Sequence, residues 1–340
     1  MYWQEVRPGT AGHPDGSPAV LLEVLPYWSC RIDIMIMRIT AFFVLLFGCT
    51  LLSAQKIVPY AERDTGAVNM AIYYPEKPLA GNPCVVYLFG GGFIGGSYLD
   101  SMSVDYCRKM ADAGFIAVAP DYRLGLKGVE IKSFGVSIVP KIERAIHFAV
   151  EDCADAVSYL LRHSSELGIN SERIMLAGSS AGAITALQTD YFHCNAHELT
   201  SCLPDDFRFA CVMAYAGAIF SREGRVDYRR HAPAPTMMFH GTEDRIVTYR
   251  SITFGSLGFF GANALVKRFA KYRYPYYLRR YKGQGHVVAM LGNSTVDDAL
   301  WFYSHFVVKA ERLFVDEMYE DEAMKPIVGY ATLGDLYHEK

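Results

Sequence analysis

The sequence lacks any strong bias of charge. Its 33 basic and 36 acidic residues give a formal net charge of −3, and they are spread along all 340 positions. Nucleic acids and anionic lipid surfaces are bound by clustered lysine and arginine side chains. We therefore expect no nucleic-acid partner and favour a small or neutral molecule.

Long apolar segments and metal-binding patterns are missing as well. The apolar run Ile39–Leu52 has about 14 residues, whereas a helix that spans a bilayer needs roughly 20. No Cys-x-x-Cys pair and no Cys/His cluster with the spacing of a zinc site occurs, and no internal repeat is visible. We therefore expect no stable membrane span and no bound metal.

An export signal is the best interpretation of residues 37–54. Residues 1–36 are rich in Gly and Pro, Arg38 then precedes the apolar run, and small residues follow it at Ser53-Ala54. This order is typical of a secretory signal peptide. We predict that residues 1–36 are an over-called start and that the protein is exported, either periplasmic or secreted. A lipoprotein anchored through Cys49 is the weaker alternative.

The cysteines leave the pairing open. Six of the eight follow residue 54, namely Cys84, Cys107, Cys153, Cys194, Cys202 and Cys211. Export permits disulfides, and Cys194 and Cys202, which bracket a short polar stretch, are the first candidate pair. Cys84 and Cys211 lie inside apolar runs, where buried thiols are the simpler interpretation.

Short apolar runs alternate with segments of helical period after Gln55. The predicted strands are Met70–Tyr74, Val85–Phe89, Ile116–Ala119, Ile174–Ala177, Ala210–Ala214, Met237–His240 and Tyr276–Tyr281. The predicted helices are Ser101–Ala113, Ala149–His163, Ala181–Tyr191, Ala262–Tyr272 and Val296–Glu311. This pattern favours an α/β fold with a mostly parallel central sheet flanked by helices. We predict one domain over residues 55–315 and a weakly patterned tail at 316–340.

The strongest motif surrounds Ser180. An apolar strand runs into Gly178-Ser179-Ser180-Ala181-Gly182, and a good helix start follows at Ala183–Leu187. This is G-x-S-x-G between a strand and a helix. Small flanking residues let the backbone close around the serine, and a helix N-terminus favours developing negative charge. The motif predicts Ser180 as a nucleophile, with a glycine-rich structural turn as the alternative.

A glycine run follows an earlier predicted strand. Val85–Phe89 leads into Gly90-Gly91-Gly92-Phe93. Backbone N–H groups in such a run can point into an open pocket, as an oxyanion site requires. No Lys-Ser/Thr follows, so a phosphate-binding loop fits poorly. The predicted donors are the N–H groups of Gly91, Gly92 and Ala181.

A nucleophilic serine needs a base and a carboxylate that orients the base. Among the downstream histidines, His286 follows the last predicted strand directly in a glycine-containing loop. Glu243 and Asp244 both follow the strand that ends at His240. We prefer Asp244 because the order serine, acid, histidine places the acid on this loop. Glu243 remains the competitor, and His240 is expected to be a structural hydrogen-bonding residue.

These motifs, in this order, resemble the α/β-hydrolase superfamily and its esterase and lipase branch, which includes the hormone-sensitive-lipase-like carboxylesterases. The branch motif is His-Gly-Gly-Gly, and Phe89 stands here in place of the histidine. Asp121-Tyr122-Arg123-Leu124 and the segment from His240 to Asp244 are also similar, and we expect Asp121 and Arg123 to be structural. The resemblance covers about Val68 to Phe306.

The resemblance implies acyl transfer by Ser180, His286 and Asp244 with no cofactor, acting on a small-molecule or carbohydrate-linked ester. Residues 125–140 and 254–281 are expected to form a cap or a pocket wall. Two alternatives remain. An exopeptidase or amidase can use the same fold, although no large propeller domain precedes it in this sequence. A noncatalytic binding protein is the other, although such proteins usually lose a member of the triad.

Overall fold

The protein is described by a computed structural model over residues 55–64, 66–130 and 136–320. The predicted signal segment, Cys49 and residues 321–340 of the predicted tail lie outside the described residues. Within the described ranges, no helix combines the length and apolar character that a membrane crossing requires.

Twelve strands are present in the described chain. In chain order they are β1 (Lys56–Arg63), β2 (Gly66–Tyr73), β3 (Cys84–Leu88), β4 (Ile116–Pro120), β5 (Ile174–Ser179), β6 (Val212–Tyr215), β7 (Ala218–Ser221), β8 (Thr236–Gly241), β9 (Ser251–Phe254), β10 (Leu257–Gly261), β11 (Tyr276–Tyr281) and β12 (Phe314–Tyr319). Nine of them form one sheet in the order β1-β2-β4-β3-β5-β6-β8-β11-β12. The first two pairings, β1 with β2 and β2 with β4, are antiparallel, and the others are parallel. A small antiparallel sheet has the order β7-β10-β9.

Helices cover both faces of the large sheet. They are α1 (Ser101–Asp112), α2 (Val139–Arg162), α3 (Ser164–Leu167), α4 (Ala181–Cys194), α5 (Ala262–Tyr272) and α6 (Val296–Phe302), which continues as a π-helix over Tyr303–Val308. Short 3₁₀ segments lie at Val136–Ile138, Ser171–Arg173, Glu198–Thr200 and His286–Ser294. The mostly parallel sheet with flanking helices confirms the predicted fold class.

The core is divided by the sheet into two layers, as the alternation along β3 illustrates. Val86 belongs to the buried cluster that includes residues of α2, α4 and α5, whereas its neighbour Val85 belongs to the cluster on the other face, which includes residues of α1 and α6. All five residues of β3 are buried. Burial on both faces explains why the central strands are apolar throughout.

The strand order places a functional site at one point of the sheet. The chain passes from β3 to β4 on one side, and β5 then returns to the opposite side of β3. Such a reversal leaves a crevice at the carboxyl ends of the two strands, where α/β proteins bind ligands. Leu88 at the end of β3 pairs with Gly178 of β5. The glycine loop and Ser180 therefore emerge side by side.

Several boundaries differ from those predicted. Helix α2 begins at Val139, ten residues before the predicted start, because Pro140 occupies the first turn, where its missing N–H costs nothing. β12 (Phe314–Tyr319) pairs in parallel with β11 and crosses the predicted boundary at residue 315. The large sheet therefore extends to Tyr319. β1 and the small sheet were also absent from the predicted strands.

The disulfide prediction was wrong for the pair proposed first. All six cysteines of the described chain are free thiols, and five of them are buried. The Cys194 thiol donates instead to the carbonyl oxygen of Ala232, at 3.4 Å. Cys202 is exposed, so the two sulfurs occupy different environments. Cys84 and Cys211 are buried as expected.

Candidate active site

Ser180 stands on a sharp turn between β5 and α4. Its backbone has φ of 52° and ψ of −117°, in the positive-φ half of the Ramachandran map, which non-glycine residues rarely adopt. The Ser180 N–H donates to the carbonyl oxygen of Tyr215, at 2.9 Å, which fixes the turn against the end of β6. This hydrogen bond helps to hold Ser180 in its strained backbone conformation, and the turn directs the side chain out of the sheet.

Two glycines make this turn possible because the backbone approaches itself closely. A Cβ on Gly178 would overlap the backbone of Gly182, and a Cβ on Gly182 would overlap the carbonyl of Leu88. Helix α4 therefore packs against β3 and β5 more tightly than any side chain allows. Both glycines of the G-x-S-x-G motif are therefore required at this site, because a side chain at either position would collide with neighbouring backbone.

Three predicted site residues form one hydrogen-bonded chain. Ser180 Oγ lies 2.7 Å from His286 Nε2, and His286 Nδ1 lies 2.8 Å from Asp244 Oδ2. Ser180 follows β5, Asp244 follows β8 and His286 follows β11. The carboxyl ends of these parallel strands bring together residues 106 positions apart in the sequence.

The Asp244 carboxylate is held from two sides. Its Oδ1 accepts backbone N–H bonds from Ile246 at 2.9 Å and Val247 at 3.1 Å. Its Oδ2 faces His286 and also lies 3.3 Å from Nε2 of His240. Burial alone would raise the pKa of Asp244, but the hydrogen bonds from His240 and His286 outweigh it and hold this pKa well below its usual range. The group is a buried carboxylate that stays charged.

The two adjacent carboxylates have different surroundings. Asp244 is buried against His286, whereas Glu243 is exposed, and its backbone N–H donates to the carbonyl of Gln284 at 3.0 Å. Asp244 is therefore the carboxylate in contact with the imidazole. His240 is buried and hydrogen bonds the Val247 carbonyl at 3.0 Å, a structural contact of the expected kind. The contact between His240 and Asp244 was not predicted, although the two residues are only four positions apart in the sequence.

The glycine loop reaches the same site. Gly92 and Ala181 line a cavity together with Ser180, and Gly91 is not one of the described residues that line it. Gly91 and Gly92 have φ of 125° and 62°, so the loop turns sharply after β3. The Gly91 carbonyl accepts N–H bonds from Ile94 and Gly95, both at 3.1 Å.

Phe89 supports this loop in place of the histidine of the branch motif. Its ring stacks on Tyr122 with centroids 4.2 Å apart, and the Tyr122 hydroxyl donates to the Phe89 carbonyl at 2.7 Å. The aromatic pair is buried. A stacked ring and one backbone hydrogen bond thus hold the start of the glycine loop.

Arg123 has a structural role, as expected, but with partners on another element. Its Nε lies 2.9 Å from Asp152 Oδ2, and its guanidinium also pairs with Glu151. Arg63 of β1 pairs with the same Asp152. The motif around Arg123 therefore anchors α2 to the loop after β4. The Asp121 carboxylate accepts the N–H of its neighbour Tyr122.

The cavity in front of Ser180 is small and apolar. It encloses about 80 Å³. Besides the residues already named, its lining consists of Phe93, Ile142, Ile184, Ala218, Ile246, Val247, Thr248, Ile252 and Phe259. Phe259 and Ile252 come from the small sheet, so this sheet forms a pocket wall. The described residues of segment 125–140 do not line the cavity.

The sequence and the fold match known esterases. Residues 70–217 match the BD-FAE family model. Esterase LipI of Mycobacterium tuberculosis is 32% identical over 124 residues, which cover 36% of this chain and 33% of that protein. Ethyl acetate hydrolase of Pseudomonas putida is 28% identical over 126 residues, covering 36% of this chain and 34% of that protein. The chain spans from 24% to 34% of the length of the curated relatives it matches.

A solved structure extends the likeness to most of the fold. The native form of a thermophilic esterase from Thermogutta terrifontis has a TM-score of 0.52 at 22% identity, over 76% of this chain and 93% of that chain. The likeness shows the same fold, and Ser180, His286 and Asp244 lie at the carboxyl ends of its parallel strands. The chain thus has an α/β-hydrolase fold, and the curated relatives to which part of it is similar are named esterases and lipases.

Proposed function

We propose that the protein is a serine hydrolase that cleaves carboxylic esters through an acyl-enzyme. The observation that carries the proposal is the continuous hydrogen-bonded chain from Ser180 through His286 to Asp244, which opens on an apolar cavity. A nucleophile, a base and a carboxylate that orients the base are the parts that acyl transfer needs.

In the first half-reaction Ser180 Oγ attacks the ester carbonyl carbon while His286 Nε2 takes the hydroxyl proton. The carbonyl oxygen becomes an oxyanion, which backbone N–H groups of Gly91, Gly92 and Ala181 stabilise. His286 then gives the proton to the leaving alcohol as the C–O bond breaks. Water repeats the sequence on the acyl-enzyme and releases the acid. The 2.7 Å distance between Oγ and Nε2 supports direct proton transfer.

Asp244 keeps the imidazole ready for this transfer. With its carboxylate 2.8 Å from Nδ1, the proton of the neutral ring resides on Nδ1 and Nε2 is left to accept. The same negative charge stabilises the imidazolium that forms during attack. The lowered pKa of Asp244 supports this role, because it favours the charged carboxylate that orients the imidazole.

The cavity favours short acyl groups. Its walls are almost entirely aliphatic or aromatic, and its volume of about 80 Å³ leaves little room beyond the reacting carbonyl. We therefore propose small-molecule or carbohydrate-linked esters with short acyl chains as substrates. The name of one relative, ethyl acetate hydrolase, agrees with a short acyl chain, and that of another, esterase LipI, agrees with an ester substrate.

Matched ester and amide substrates test the proposal. We expect hydrolysis of 4-nitrophenyl butyrate to exceed that of 4-nitrobutyranilide by at least about tenfold in kcat/KM, because the ordered motifs are those of esterases. Ser180→Ala serves as the control for background hydrolysis. A preference for the anilide moves the protein to the amidases, and no turnover of either favours a noncatalytic binding protein.

We also propose that the protein is exported after cleavage between Ala54 and Gln55. Support comes from the sequence alone, where a short apolar run ends in Ser53-Ala54. Mass spectrometry of protein from an exporting host should find Gln55 as the first residue. A folded enzyme that retains residues before Met37 contradicts the proposal.

A further inference from the structure

A second cavity borders the segment that carries Asp244. It encloses about 960 Å³ and is lined by Thr242, Glu243 and residues 249–251 of this segment, together with residues of α5. Residues 246–248 of the same segment line the cavity of Ser180. Among the residues that the structure describes, none lines both cavities. We call the second cavity the basic groove, for the reason that follows.

Positive charge is concentrated in the basic groove. Among the described residues that line it are six with cationic side chains, Arg225, Arg250, Lys267, Arg268, Lys271 and Lys282, and one carboxylate, Glu243. The chain as a whole has a formal net charge of −3. Such a local excess of one sign repels itself unless a bound group neutralises it.

Neighbouring carboxylates neutralise only part of this charge. Asp227 pairs with both Arg225 and Arg268, and Glu320 pairs with Lys282 at 2.8 Å. Within the described chain, Arg250, Lys267 and Lys271 join no ion pair, and all three are exposed. The groove thus has three cations available to a ligand.

Two of the three unpaired cations have a defined spacing. Lys267 and Lys271 lie four residues apart on α5, on one face of the helix. Four residues correspond to a spacing of about 6 Å along a helix axis. A groove of this volume with charges in series fits a ligand with several anionic groups better than a single small ion.

We propose that the basic groove binds an extended polyanion, a chain that carries several carboxylate or phosphate groups. Lys267 and Lys271 contact successive anionic groups, and Arg250 contacts a third. Since the groove shares no lining residue with the cavity of Ser180, this binding does not depend on ester hydrolysis. It is a property that remains testable whether or not the proposed reaction is correct.

Calorimetric titration of the full-length protein tests the proposal with three probes. Oligogalacturonate supplies carboxylates, linear inorganic polyphosphate supplies phosphates, and a neutral maltooligosaccharide supplies neither. The Ser180→Ala protein is titrated as well, so that turnover plays no part. We expect at least one anion to bind, the neutral sugar not to bind, and the affinity to fall as salt rises, because screening weakens each charge contact. The anion that binds identifies the source of the charge.

Two paired variants locate the site. Lys267→Gln with Lys271→Gln is expected to weaken the anion by about tenfold or more, which equals about 1.4 kcal/mol. Lys77→Gln with Lys309→Gln, which changes two exposed lysines outside the groove, should leave affinity unchanged. Arg250→Gln provides a second groove variant.

The proposal is overturned if neither anion binds at low salt. It is also overturned if the groove variants bind as tightly as the control pair, or if the neutral sugar binds equally well. Hydrolysis of a neutral ester by the same preparations is measured separately. If the wild-type protein does not hydrolyse the ester, the proposed esterase function is refuted, whereas the conclusion about anion binding is unaffected.

Discussion

The cavity of Ser180 and the basic groove border one loop segment, yet their walls are opposite in chemistry. The first is narrow, apolar and formed at the carboxyl ends of buried strands. The second is wide, cationic and formed in part by residues of α5. Adjacent residues therefore enter different environments, as buried Asp244 and exposed Glu243 do. Two residues that are adjacent in the sequence can therefore differ in burial and in role. What decides both is the direction in which each side chain leaves the loop.

The largest effect is expected at the nucleophile. Ser180→Ala should reduce kcat for ester hydrolysis by a factor on the order of 10⁶, because no hydroxyl remains to attack the carbonyl. Steady-state kinetics on a short-chain ester measures the loss. Ser179→Ala is the matched control and should lose far less, since the Ser179 hydroxyl donates to the Ala289 carbonyl at 2.6 Å and is not part of the hydrogen-bonded chain from Ser180 to Asp244. Equal losses in the two variants would contradict the assignment.

The adjacent carboxylates give the next largest difference. Asp244→Asn should lower kcat by a factor on the order of 10⁴, because the amide neither fixes the Nδ1–H tautomer nor stabilises the imidazolium. Glu243→Gln should change kcat by less than about twofold, because its side chain faces solvent at the basic groove. If Glu243→Gln were the inactive variant, the acid would be misassigned while the hydrolase proposal stood.

Variants of two adjacent phenylalanines on β10 allow a direct comparison of the two cavities. Phe259 lines the cavity of Ser180 and Phe260 lines the basic groove. Phe259→Ala should raise kcat/KM for a 4-nitrophenyl octanoate relative to the acetate by about tenfold, because removal of the ring deepens an apolar pocket. Phe260→Ala should leave this ratio unchanged. A shift of the ratio in the second variant alone would mean that the acyl chain lies on the other side of the strand.

The smallest effect concerns a second buried carboxylate. Asp190 accepts a backbone N–H bond from Ala234 at 3.3 Å and a weak one from the Cys194 thiol at 3.8 Å, where Asp244 has two histidines. Burial raises the pKa of Asp190 to about 7. In the unfolded chain the pKa of an aspartate is roughly 4. Between about pH 4 and about pH 7 Asp190 is therefore ionised in the unfolded chain but protonated in the folded protein, so a rise in pH favours unfolding. Stability from Asp190 is thus greatest at low pH and lost through that window.

Thermal unfolding of Asp190→Asn tests this sign. The midpoint temperature of unfolding should fall between pH 5 and pH 8 in the wild type, and it should fall by a few degrees less in the variant. The conversion used is roughly 3 °C for each kcal/mol of unfolding free energy. An identical pH dependence would show that Asp190 is ionised in the folded state at both values.

The parts of the fold that the sequence predicted are those with local signals. The strand, turn and helix around Ser180 are specified by apolar runs and by glycines with a steric reason. His286 and Asp244 were found because each follows a buried strand within a few residues. Their hydrogen bonds join distant positions, but the sheet order makes those positions neighbours.

The parts that were missed depend on distant partners. Strand β9 is exposed at all four positions, so its sequence has no alternating pattern to detect. β12 is specified by pairing with β11, some forty residues earlier, and its own residues resemble an exposed tail. The contact of Arg123 with Asp152 and that of His240 with Asp244 likewise required the folded chain.

Covalent labelling tests the central claim most directly. A fluorophosphonate reacts only with a serine whose hydroxyl is activated by a neighbouring base. Labelling followed by peptide mass spectrometry should place one adduct on Ser180, and Asp244→Asn should slow its formation while Glu243→Gln should not. Absence of an adduct on the folded wild-type protein, or an adduct on another serine that persists in Ser180→Ala, would contradict the account.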